Sequence, residues 1–96
     1  MITNKDLNDQ YSLFARNIRK NRKRKKLTQE KLAEMCDISL SYLKQIENMN
    51  EYKNVTLTVM LTLAKALDTN VSSLFKEEDV APNNNRISKE TENNSI

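Results

Sequence analysis

The chain has no glycine in 96 residues and a single proline, Pro82. This limits the fold more than any other feature of the sequence. Loops of the P-loop and dinucleotide-binding kinds need backbone without a Cβ close to phosphate, so both are excluded. The apolar residues recur at helical spacing, and almost nothing in the chain breaks a helix. An all-α domain is expected. A chain of this length makes one small domain whose core is too modest to enclose a deep, water-free active site as well.

Five helices can be read from caps and periodicity. The first begins at Leu7 or Tyr11 and runs to Lys25, with Tyr11, Phe14 and Ile18 on one stripe. Thr28 caps a second, "QEKLAEMC", with Leu32, Ala33 and Cys36 inward. Ser39 caps a third, Leu40 to about Asn48. The polar segment "MNEYKN" follows, Thr56 caps a fourth helix, "LTVMLTLAKALD", and Asn70 or Ser72 opens a short fifth, "VSSLF". Residues 1–10 are expected to form an N-terminal extension and 11–76 the folded domain. Residues 77–96 are Asn-rich with few large apolar side chains, which predicts a flexible polar tail.

Charge is uneven. Residues 1–75 carry thirteen Lys and Arg against eight Asp and Glu, whereas 76–96 carry three against five. A basic body suggests a polyanionic partner. The chain has no His, which removes His-ligated zinc and His-based proton transfer. No metal site, cofactor or enzymatic activity is expected. Cys36 is the one cysteine and fits a reducing cytosol, where it serves as a small core residue or, less simply, a redox switch. No apolar run approaches the ~20 residues of a membrane span, so a cytoplasmic protein without membrane contact is expected.

The stretch "SLSYLKQIEN" (39–48) raises a specific question. Leu43 and Ile46 point inward, while Ser41, Lys44, Gln45 and Asn48 gather on the opposite side and Leu40 sits at the rim. An ordinary solvated face is one reading. The other is a helix that enters the DNA major groove, where base edges are read by short or amide side chains held close. Gln45 suits adenine N6/N7, Ser41 donates or accepts, Leu40 meets a thymine methyl, and Lys44 reaches guanine or a phosphate. Two short helices joined at "CDIS", the second with this face, have the outline of a helix-turn-helix.

Residues from about Phe14 to Phe75 resemble the phage-repressor/Cro-type helix-turn-helix family. The resemblance rests on "IRKNRKRKKLTQEKLAEMCDISLSYLKQIE", "NVTL" and "LAKALDTNVSSLF". The "NVTL" segment further resembles controller proteins of restriction–modification systems. Two departures stand out: Asp37 occupies the turn position where the family usually has Gly, and the loop after Glu47 is about two residues longer and lacks the customary Gly and Pro.

The resemblance implies a five-helix, lambda-repressor-like domain that regulates transcription by binding double-stranded DNA. It assigns base reading to Leu40, Ser41, Lys44 and Gln45. Gln29, at the start of the second helix, resembles a phosphate-contacting residue, against the plainer reading of a first-turn Gln. Ser39 and Asn48 join it on the DNA backbone, although Asn48 equally suits a helix cap. Tyr42 either packs beside its helix or hydrogen-bonds a phosphate. The run "RNIRKNRKRKK" holds eight cations and no anion. It is either a solvated face or an electrostatic footprint that puts Lys23, Arg24 and Lys26 on phosphates. Arg22 instead follows Phe14 and Ile18 toward the core, and the family pattern pairs it with Glu47 as a structural ion pair.

The fourth helix is apolar nearly all round, which fits either a broad core face or a homodimer contact. The resemblance favours the homodimer, with Val59, Leu63, Ala66, Val71, Leu74 and Phe75 as the contact and a palindromic operator as target. No small-molecule ligand is expected, since no second domain is present to bind one. A rival reading is an antitoxin-like module that binds a partner protein, although the polar tail lacks the apolar anchors such binding needs.

Overall fold

The structure, a computed structural model, describes residues 1–77. They form five helices and no strand: α1 (Asn4–Arg24), α2 (Gln29–Cys36), α3 (Leu40–Glu47), α4 (Leu57–Ala66) and α5 (Val71–Leu74). Every helix starts at a polar residue with extended backbone whose side-chain oxygen accepts the N3 amide. The caps are Thr3, Thr28, Ser39, Thr56 and Asn70. Each satisfies a donor that the helix itself leaves unpaired.

Helix α1 begins earlier than the sequence suggested. Its start is a capping box in which the Thr3 hydroxyl accepts from the Asp6 amide while Asp6 accepts from the Thr3 amide. The usual Glu or Gln of that motif is replaced by Asp. Residues 4–10 therefore continue α1 instead of preceding it. The expected tail, 77–96, lies outside the described residues apart from Glu77.

Without glycine, three helices end on residues with positive φ: Lys26 (60°) after α1, Asp37 (56°) after α2 and Asp68 (56°) after α4. In each case the next residue's amide reaches back five positions, Leu27 to Arg22 O, Ile38 to Ala33 O and Thr69 to Ala64 O. These are Schellman endings, in which the left-handed residue is ordinarily Gly. Asp tolerates that conformation through its short polar side chain; Lys has no such help. Leu27 and Ile38, the residues just after two of these turns, pack on the core and hold the endings in place.

The core draws on every helix. Phe14 and Ile18 of α1, Leu32 of α2, Leu43 and Ile46 of α3, Leu63 of α4 and Leu74 of α5 are fully buried. Burying one such side chain contributes about 1.5–3 kcal/mol. Phe14 stacks on Phe75 with ring centroids 5.0 Å apart. Asn17, also buried, donates from Nδ2 to the carbonyls of Leu74 (2.8 Å) and Lys76 (3.0 Å), which fastens the chain after α5 to α1. Cys36 belongs to this core, and burial pushes its thiol pKa up. That suppresses the thiolate on which redox chemistry depends.

Candidate nucleic-acid interface

Helices α2 and α3 pack against each other across the turn at Asp37, with Ala33 buried in α2 beside the turn. In α3, Leu43, Ile46 and Glu47 are buried, whereas Ser41, Lys44, Gln45 and Asn48 are exposed and Leu40 is half-buried. One side of α3 is therefore fixed in the core and the other is free. The free side borders a concavity of about 570 Å³ lined by Leu40, Ser41, Lys44, Gln45, Asn48 and Lys53.

The buried carboxylate of Glu47 fixes how α3 sits. Arg22 donates from Nε to Oε2 (2.7 Å) and from Nη2 to Oε1 (3.1 Å), and its Nη1 reaches the Leu27 carbonyl (2.9 Å). Gln29 donates from Nε2 to Oε1 as well (3.1 Å). Arg19 donates to the main-chain carbonyl of Glu47 at 2.5 Å, which places a cation at the C-terminus of α3, where the helix dipole favours it. Three side chains from α1 and α2 thus converge on one residue of α3. The position of Arg22 could be read from its spacing. Arg19 and the Gln29–Glu47 bond could not, because both depend on how α3 crosses α1 and α2.

The residues assigned to the DNA backbone have varied surroundings. Lys23 and Lys26 are exposed, and Arg24 is exposed with one contact to Asn21 Oδ1 (3.3 Å). Ser39 uses its hydroxyl oxygen to cap α3 through the Tyr42 amide (3.0 Å), leaving the hydroxyl proton to donate. One N–H of Gln29 is committed to Glu47, so its second N–H remains for a phosphate. Asn48 caps α3 and turns its amide back to the Lys44 carbonyl (3.0 Å). The Tyr42 hydroxyl donates inward to the Asn54 carbonyl (2.5 Å). A phosphate, which only accepts, would have to compete for that proton. Burial, followed by the nearby Tyr52, raises the Tyr42 pKa, so the phenol stays protonated.

The apolar surface on α4 differs from the sequence expectation. Leu63 and Leu74 are fully buried inside the monomer and have no surface to offer a second molecule. Val59, Ala66, Val71 and Phe75 are half-buried and pack against the same core. The exposed apolar side chains are instead Leu57 (63%) and Leu61 (53%) on α4 and Met35 (45%) on α2. Because α4 is apolar on both sides, its own pattern does not determine which side turns in. Contacts with α2 and α5 decide it.

A positioning helix with one buried face, followed by a second helix with one anchored and one open polar face, defines a helix-turn-helix DNA-binding protein. The helix-turn-helix family model matches residues 18–74, and the chain belongs to that family of DNA-binding transcriptional regulators. It is 36% identical over 66 residues to the control protein C.SmaI of Serratia marcescens, covering 69% of this chain and 76% of that protein. The crystal structure of the restriction–modification controller protein C.AhdI from Aeromonas hydrophila is similar at 35% identity and a TM-score of 0.61, covering 68% of this chain and 96% of that one. The N-terminal DNA-binding domain of SinR from Bacillus subtilis matches at 28% identity and a TM-score of 0.63, covering 71% and 97%. Among the described residues, no helix is long and apolar enough to cross a membrane.

Proposed function

We propose that the protein regulates transcription by binding a palindromic operator as a homodimer, with α3 of each protomer in the major groove. The observation that carries this reading is the open face of α3, anchored from behind by the Arg22–Glu47–Gln29 cluster. Leu40, Ser41, Lys44 and Gln45 read base edges, and the first turn of α2, Ser39 and the cations Lys23, Arg24 and Lys26 hold phosphates. Asn48 and Tyr42, both hydrogen-bonded within the protein, brace the end of α3 and the loop beyond it.

The homodimer forms through Leu57, Leu61 and Met35. Leu61 and Met35 border a second concavity of about 400 Å³, lined also by Thr58, Thr62, Lys65 and Ala66. A two-fold contact presents the same patch from both partners, so an apolar side chain beside a recess suits self-association. Two α3 helices related in this way would meet half-sites one DNA turn apart, ~34 Å. Similarity to C.SmaI and C.AhdI supports a role as a controller of a restriction–modification system. Repression or activation then follows from where the operator lies relative to the promoter. Sedimentation of the protein with a duplex bearing its site tests the stoichiometry. Two protomers per duplex is the expected result, and one protomer at saturation would contradict the dimer.

A further inference from the structure

After α5 the chain turns acidic, with Glu77, Glu78 and Asp79 in succession. The point at which this segment leaves the fold is fixed. The buried Asn17 of α1 holds the carbonyls of Leu74 (2.8 Å) and Lys76 (3.0 Å), so Glu77 departs alongside α1. It departs into a polar groove of about 430 Å³, where Lys20, Asn21 and Arg24 of α1 stand across from Ser73, Lys76 and Glu77. Three cations line this groove against one carboxylate. Arg24 reaches Asn21 Oδ1 at 3.3 Å. Among the described residues, neither Arg24 nor Lys76 pairs with a carboxylate.

We propose that this groove is a docking surface for the chain's own acidic segment, and that Glu78 and Asp79 compete there with DNA phosphates for Arg24. The competition rests on the function proposed above, whereas the docking stands without it. Glu78 and Asp79 lie beyond the described residues, yet within ~7 Å of extended chain from Glu77, which already lines the groove. They carry the negative charge that the three cations lack. Glu77 on the wall disfavours a free phosphate as occupant and favours the segment that Glu77 itself begins. Exposed ion pairs are individually weak, but the covalent link makes the encounter intramolecular and keeps such contacts populated. Docking of this strength yields to DNA. It lowers affinity for every duplex by a similar factor, because the same pairs are broken on each.

The test compares the full-length wild type with two double variants, Glu78→Gln with Asp79→Asn and Glu90→Gln with Glu92→Gln. The second removes the same charge farther along the chain. Without DNA, the first variant should shift the backbone NMR signals of residues 17–24 and leave those of α3 in place. The second should shift neither. At low salt the first variant should bind both the selected operator and random duplex about 2–10-fold more tightly, the range two exposed ion pairs allow. The second should stay near wild type, and high salt should erase the difference. Unmoved α1 signals in the first variant would overturn the docking. No gain in affinity, or equal gains in both variants, would overturn the competition and leave only a net-charge effect. The reading above fails in a different way. If wild type bound operator and random duplex equally while the α1 signals still moved, sequence specificity would be wrong and the docking right.

Discussion

Arg22 of α1 grips Glu47 of α3 through two parallel hydrogen bonds, Nε to Oε2 at 2.7 Å and Nη2 to Oε1 at 3.1 Å. The Glu47 side chain is 1% exposed and that of Arg22 11%. A pair this deep is costly to break from either side, but not equally. Without Glu47, the long Arg22 side chain can swing toward water. Without Arg22, a fixed carboxylate stays buried with only Gln29 to answer it. Arg22→Ala should therefore cost about 3–5 kcal/mol and Glu47→Ala less. Replacing both together, as Arg22→Met with Glu47→Leu, should cost less than Arg22→Ala alone. Urea unfolding of the four proteins checks the order, and equal losses in the two single variants would refute the asymmetry.

The α1 terminus carries a pH dependence. Hydrogen bonds from the Thr3 amide, and then from its hydroxyl, hold the Asp6 carboxyl below its usual range. A depressed folded-state pKa means that the contribution is present above the unfolded value, ~3.9, and is lost as pH falls through the lower folded value. The first turn of α1 should fray below about pH 4, while the helices of the core stay intact at the onset. Backbone NMR shifts of residues 4–8 followed during acid titration check this, and Asp6→Asn should remove the titration.

Lys26 holds a left-handed conformation with no side-chain compensation at a position that favours Gly. Lys26→Gly should stabilise the fold by about 1 kcal/mol, since the αL penalty of ~1–2 kcal/mol is relieved and part of the gain is lost to unfolded-state entropy. Thermal unfolding should show a higher midpoint. A lower one would mean that the turn carries no strain.

The two sides of α4 should respond differently to mutation. Leu61→Asp places a charge on the exposed patch and should yield a folded monomer in sedimentation equilibrium. Leu63→Ala opens a cavity in the core and should cost about 2–5 kcal/mol in stability. Dimerisation surviving Leu61→Asp would move the interface away from this surface.

These sites also show where the sequence was informative. The starts of α2, α3 and α4 were legible because Thr28, Ser39 and Thr56 each precede an apolar run at helical spacing, and that signal is local. The start of α1 was obscured because Thr3 and Asp6 form a capping box with the less common acid, followed by a polar stretch. Which side of α4 faces inward was not legible, because Leu57 and Leu61 are as apolar as Leu63. The open side of α3 stood out in composition. The Arg19 contact to its end and the Lys53 wall beside it arise from how the helices and loop pack, and no local pattern encodes them.

The central claim is that the open side of α3 reads base sequence. It is tested most directly by selecting bound sequences from a random duplex library at physiological salt, with wild type and Gln45→Ala in parallel. The account predicts that wild type enriches a palindrome with half-site centres ~10 base pairs apart. Gln45→Ala should enrich the same palindrome with one base pair per half-site relaxed, a loss of about 1–3 kcal/mol of discrimination. No enriched sequence from a folded wild type, or identical preferences in the two proteins, would contradict it.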